Sequence, residues 1–210
     1  SAQIGGTIND NLVNITTGDQ TVVYTVTPTS TADACVGATF TVSILVHPKP
    51  VGANASAPAI CSDASVNYNL QTANINTLGN SVASTFSWIA ATNAFVGGES
   101  TSAQATTTIN DNLINVTNAD QTVVYTVTPT GSVNGCVGSP FTVSVLVHPK
   151  PVGSNASAPA ICSDANVNYN IQTANINALG NSVASNFTWV AAANGNVGGE
   201  SMASQAGSTI

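Results

Sequence analysis

The residues of this chain whose types could do chemistry are few, and nearly all occur twice at one spacing. Cys35 and Cys136, His47 and His148, Cys61 and Cys162, and Trp88 and Trp189 each stand 101 residues apart. No CxxC pair or Cys/His cluster is present, so the cysteines do not suggest a zinc site. Two per period suit disulfides formed in an oxidising compartment. Spacing alone does not give the connectivity. One bond per folded unit favours Cys61–Cys136, with Cys35 and Cys162 pairing with neighbouring repeats. Closing that loop of about 75 residues would stabilise by roughly 4 kcal/mol in the chain-entropy account. Bonds across a junction, bonds to another chain, and buried free thiols are the alternatives.

Each histidine opens a His-Pro-Lys-Pro run: His47, Pro48, Lys49, Pro50 and His148, Pro149, Lys150, Pro151. One histidine per run is a poor metal site. The prolines fix φ and favour an extended, stiff junction between repeats. Lys49 and Lys150 could form isopeptide cross-links only if buried beside a carboxylate and an amide, and a lysine between prolines is expected to be exposed. Asn9-Asp10-Asn11 and Asp19 offer oxygens to calcium, which takes six to eight of them. No DxDxDG-like loop accompanies them, so calcium at a junction stays a minor reading, and no other cofactor is expected. Trp88 and Trp189 could be glycan platforms. Each lies at a strand centre beside a phenylalanine, which favours core packing, and Tyr24 and Tyr125 between valines read the same way. No Ser/His/Asp set, catalytic carboxylate pair or phosphate loop stands out, so an enzyme is not expected.

The elements that must position these residues read as strands throughout. Ser65–Gln71 puts Val66, Tyr68 and Leu70 on one face. Thr85–Ala91 aligns Phe86 and Trp88, Gln121–Thr128 aligns Val123, Tyr125 and Val127, and Phe141–Val147 aligns Phe141, Val143 and Val145. Thr107–Val116 alternates less regularly, and a short leading strand falls near Ala156–Ile161. About seven short strands per hundred residues, each with one apolar face, imply a two-layer antiparallel sandwich of immunoglobulin-like architecture.

The two periods are identical at roughly three quarters of aligned positions. A period this long signals a string of whole domains rather than a solenoid. The opening Ser1–Asp10 also resembles Ser102–Asp111, so the chain spans two periods and a short overlap. With boundaries at the proline runs, residues 1–48 are the C-terminal half of one sandwich, 49–149 a complete sandwich, and 150–210 the N-terminal part of the next. Either this is a window on a longer array, or each copy is completed by its neighbours.

Composition narrows the partners. Two lysines, no arginine and a net charge of -7 exclude phosphate-neutralising nucleic-acid binding. No apolar run reaches the roughly 20 residues that a membrane-spanning helix needs, so no membrane insertion is expected. Only 5% of residues are charged, so side-by-side packing meets little charge repulsion.

Several stretches together resemble the PKD-like repeats, immunoglobulin-like sandwiches of giant surface and secreted proteins in Bacteroidota. They are ICSDASVNYNL at Ile60–Leu70, FSWIA at Phe86–Ala90, TINDNLINVTNADQTVVYTVTPT at Thr108–Thr130, and GCVGSPFTVSVLVHPKPV at Gly135–Val152. The resemblance implies long tandem arrays, a place at the bacterial cell surface or outside it, and a structural role in a fibre or adhesin stalk. It carries no catalytic residues. The partner expected first is therefore self, in a filament or bundle. A surface glycan or host protein is the alternative, and a filament of strand-exchanged subunits is the alternative assembly. Substitutions between periods cluster at Ser30–Ala34 against Gly131–Gly135, and at Ala94-Phe95 against Gly195-Asn196.

Overall fold

The computed structural model describes residues 5–179 and 181–210. Ser1–Ile4, part of the expected overlap of periods, lie outside the described residues. The fold is all-β. Two strands, β1 (Gln20–Val26) and β2 (Phe40–Val46), form an antiparallel hairpin by themselves. The central stretch supplies β3 (Ala55–Ser56), β4 (Ile60–Cys61), β5 (Ala64–Ser65), β6 (Tyr68–Asn69), β7 (Ser84–Ala90), β8 (Val96–Gly97), β9 (Thr108–Ile109), β10 (Asn112–Asn115), β11 (Gln121–Gly131) and β12 (Phe141–His148). The closing stretch holds β13 (Thr188–Trp189) and β14 (Gln205–Ala206).

The central strands build an immunoglobulin-like sandwich. In one layer β11 lies between β12 and β7, antiparallel to both, while β3 and β4 pair in parallel with β12. The other layer consists of β10 between β5 and β8, and of the β6–β9 pair. Period-two alternation sets the inner faces. Val123, Tyr125 and Val127 point inward from β11, Phe141, Val143, Val145 and Val147 from β12, and Phe86, Trp88 and Ala90 from β7. The Trp88 and Tyr125 rings meet edge to face, 5.6 Å apart at 75°. All eleven core residues expected from alternation are buried, Val66, Tyr68 and Leu70 among them.

Three expectations need correction. The strand expected over Ser65–Gln71 breaks at Asn67, which adopts φ 50°, a left-handed conformation that asparagine tolerates. After β6 the chain enters a π-type helical turn, Gln71–Asn76, where no helix is expected. The Asn69 side chain starts it by accepting from the Thr72 backbone N–H at 2.9 Å, and fully buried Ile75 anchors it. The same turn recurs at Gln172–Ile176. The leading strand expected near Ala156–Ile161 is also absent. Its central counterparts, β3 and β4, exist by pairing with β12, and the closing stretch has no β12.

Candidate functional site

The candidate site is the seam where one repeat hands the chain to the next. His47 closes the β1–β2 hairpin with Nδ1 2.7 Å from the Asp19 carboxylate, and His148 repeats this with Asp120 at 2.8 Å. Both pairs are solvent-exposed and serve as latches at the ends of hairpins.

The run that follows His47 is built into the central sandwich. Pro48 and Pro50 are buried. The tip between β11 and β12 covers them: Asn134 Nδ2 donates to the Pro48 carbonyl at 3.2 Å. Gly138 lies so close to the Pro50 carbonyl that a side chain there has no room. From the other side Asn80 donates to the Lys49 carbonyl at 2.8 Å and accepts from the Val51 amide at 3.0 Å. The expected linker is therefore a clamped segment, although Lys49 itself is exposed.

The second junction keeps half of these contacts. Asn181 still donates to the Lys150 carbonyl. Pro149 is only half-buried and Pro151 is exposed, because no hairpin tip lies against them. Lys150 Nζ reaches the Asp63 carboxylate at 2.7 Å, and that hydrogen bond and charge hold the Asp63 carboxyl below its usual range. Both groups are about half exposed, so the buried geometry an isopeptide bond needs is missing.

The cysteines correct the sequence reading most sharply. None of the four is bonded to another within the chain, and Cys35, Cys61 and Cys162 are exposed. Cys61 sits opposite His148 at one end of β12, whereas Cys136 lies in the tip beyond Phe141 at the other end. Eight residues of strand separate these poles by roughly 25 Å, and a disulfide needs Cα atoms within about 7 Å. Cys61 and Cys136 therefore cannot bond within one repeat.

The acidic cluster proposed for calcium does not converge. Asp10 accepts from the Tyr24 hydroxyl at 2.9 Å, while Asp19 holds His47 at the end of the hairpin. The central equivalent, Asp111, is buried and accepts from the Tyr125 hydroxyl and from the amide and hydroxyl of Ser100. Asp111 thereby ties the two layers of the sandwich together. Among the described residues no three of His, Cys, Asp or Glu converge. Burial, and then the Asp111 charge, push the Tyr125 hydroxyl far above its ordinary pKa.

Of the four aromatic core residues, Trp88 and Tyr125 are buried. Trp189 and Tyr24 are only partly covered. Trp88 Nε1 donates to the Thr106 carbonyl at 3.1 Å, whereas Trp189 Nε1 has no partner. Each of the two lacks the half-sandwich that covers its central counterpart.

An immunoglobulin-like sandwich with clamped proline junctions defines a class of modular repeat. More narrowly, the chain belongs to the PKD-like domain family, which matches residues 1–50, 58–151 and 159–210. No curated protein matches it.

Proposed function

We propose that this chain is a structural repeat of a long extracellular bacterial fibre or adhesin stalk, with repeat boundaries at residues 48/49 and 149/150. Family membership supports an extracellular structural or adhesive module. The observation that carries the finer reading is the clamped junction: buried Pro48 and Pro50 with the Asn80 and Asn134 hydrogen bonds. A free tether would leave these groups in water. Burying them makes the next repeat fix the direction of the one before, as a spacer of defined length requires. No helix among the described residues is long and apolar enough to cross a membrane.

The test is intact-mass analysis of native material under denaturing conditions, before and after reduction. A species far above 21.0 kDa that survives both is expected of a covalent array. A 21.0 kDa species would overturn it.

A second reading, recognition of a glycan or host protein, draws on Phe95. It is 55% exposed beside Val116 at 68%, and the other period carries Asn196 in its place. The second variable segment, Gly131–Gly135, lies at the seam against Pro48, where substitutions tune contacts between repeats rather than ligands.

A further inference from the structure

Asparagine followed by glycine is the step at which a side-chain amide is lost most readily, because glycine has no Cβ to hold its backbone nitrogen away from the amide carbon. The chain has two such steps, Asn134-Gly135 and Asn194-Gly195, and each occurs in one period only. Their counterparts are Asp33-Ala34 and Asn93-Ala94. One step lies in an exposed turn, and the other is built into the seam.

At the seam, each group that the reaction needs is held. Asn134 is half-buried. Its Nδ2 donates to the Pro48 carbonyl at 3.2 Å, and its Oδ1 accepts from the Cys136 amide at 3.1 Å. The nitrogen that would attack, Gly135 N, donates its proton to the Gly131 carbonyl at 3.0 Å. Gly131 has no room for a Cβ against Asn134 Oδ1, so the tip is packed around the amide. Asn194 keeps the matching Oδ1 contact, accepting from the Asn196 amide at 3.1 Å. Asn194 and Gly195 are exposed, and no backbone carbonyl among the described residues accepts from the Gly195 N–H. The same turn is open in the central repeat, where Ala94 and Phe95 are exposed.

We propose that Asn134-Gly135 is a self-modification site, kept as the amide while the seam is closed and converted when the seam opens. Once the Pro48 and Gly131 contacts break, Gly135 N attacks Asn134 Cγ. The N–Cγ bond forms and the Cγ–Nδ2 bond breaks. Nδ2 leaves as ammonia and carries away the Gly135 proton. Water then opens the five-membered imide at either carbonyl. The product is aspartate, or its isomer with the backbone running through the side-chain carboxyl carbon. Water is the only co-reactant.

Both products disable the clamp. Neither carries a donor for the Pro48 carbonyl. Each also adds a negative charge to a cavity that Asn134 lines together with Thr17, Asp19 and Pro48, where it is repelled by the Asp19 carboxylate. The step is one-way: opening permits the conversion, and the product resists closing. The seam thus keeps a chemical record of having been opened. This goes beyond the stalk reading and does not depend on it.

The experiment ages the 210-residue chain at mildly alkaline pH, cuts it after aromatic residues, and follows both Asn-Gly peptides by mass. The peptide Thr126–Phe141 contains no asparagine besides Asn134. In the folded chain Asn134 should convert at least about tenfold more slowly than Asn194, and in urea the two rates should be similar. Asn80→Ala and Gly138→Ala loosen the seam from opposite sides and leave Asn134 in place. Each should raise the Asn134 rate several-fold, with the Asn194 rate and the near-ultraviolet signal of the Trp88–Tyr125 pair unchanged. Equal rates at the two sites in the folded chain would overturn the proposal. So would a seam variant that keeps the aromatic signal and leaves the Asn134 rate as it was. Asn134→Asp, the product itself, should speed hydrogen exchange at the Val51 amide and leave the Trp88 amide unchanged. Unaltered exchange at Val51 would overturn the one-way step.

Discussion

Tyr125 and Tyr24 occupy the same place in two nearly identical hairpins, yet one is fully buried and the other lies open to solvent on one side. Each donates its hydroxyl to the equivalent aspartate at 2.9 Å. The hairpin and its polar tie are thus local products of the sequence between Thr7 and Pro48. Burial is not local: it arrives only when the half carrying β7 and the helical turn is present. The contrast separates what the hairpin forms by itself from what burial by β7 and the helical turn adds.

The largest expected effect tests that contrast directly. Trp88→Ala should destabilise the central repeat by about 3–5 kcal/mol, read as a lowered urea midpoint. Trp189→Ala, chemically the same change, should move that midpoint little in a monomeric sample. Equal effects would mean that the closing stretch already has a core.

A smaller effect is expected at the seam. Asn134→Ala leaves the Pro48 carbonyl buried without its donor, at a cost of about 1–3 kcal/mol. The first hairpin carries Asp33 at the equivalent position, and that residue is exposed. Asp33→Ala should therefore be close to neutral in the same urea experiment.

Alkaline pH should separate the copies by a further step. The Tyr125 hydroxyl has a raised pKa in the fold, so its contribution is complete below the ordinary tyrosine value near 10 and is lost as pH rises beyond it. The central midpoint should fall above pH about 10, and Tyr125→Phe should flatten that dependence. An unchanged slope in the variant would assign the effect elsewhere.

The smallest effect belongs to Lys150–Asp63. The pair is exposed, and exposed pairs contribute little. The Asp63 carboxyl is held below its usual range, so its stabilisation is present above the unfolded-state value and is lost as pH falls through the lowered one. Asp63→Asn should leave the urea midpoint nearly unchanged at neutral pH. A clear drop would mean that the junction depends on this contact.

Much of the sandwich was legible because β7, β11 and β12 alternate cleanly, and their inward residues are the expected core. The helical turn was missed because its anchors, Leu70 and Ile75, are too few to show a helical period. Asn69 three residues before Thr72 was the available signal, since asparagine commonly caps a helix start. The break at Asn67 was equally local, and it returns at Asn168 with φ 45°. The cysteine poles were not legible. They follow from the parallel pairing of β4 with β12, a contact between segments some 87 residues apart that no local pattern encodes.

That parallel pairing also determines how the repeat meets force. The chain enters beside β3 and leaves at the end of β12, and the two ends run in the same direction across shared backbone hydrogen bonds, among them Ala57 to Ser144 and Ser62 to His148, each 2.8 Å. Pulling the ends apart slides these strands past one another, so the bonds must yield together. A hairpin pulled at its open end gives way one bond at a time. The strands that begin and end the repeat are therefore placed to act as a shear lock on everything between them.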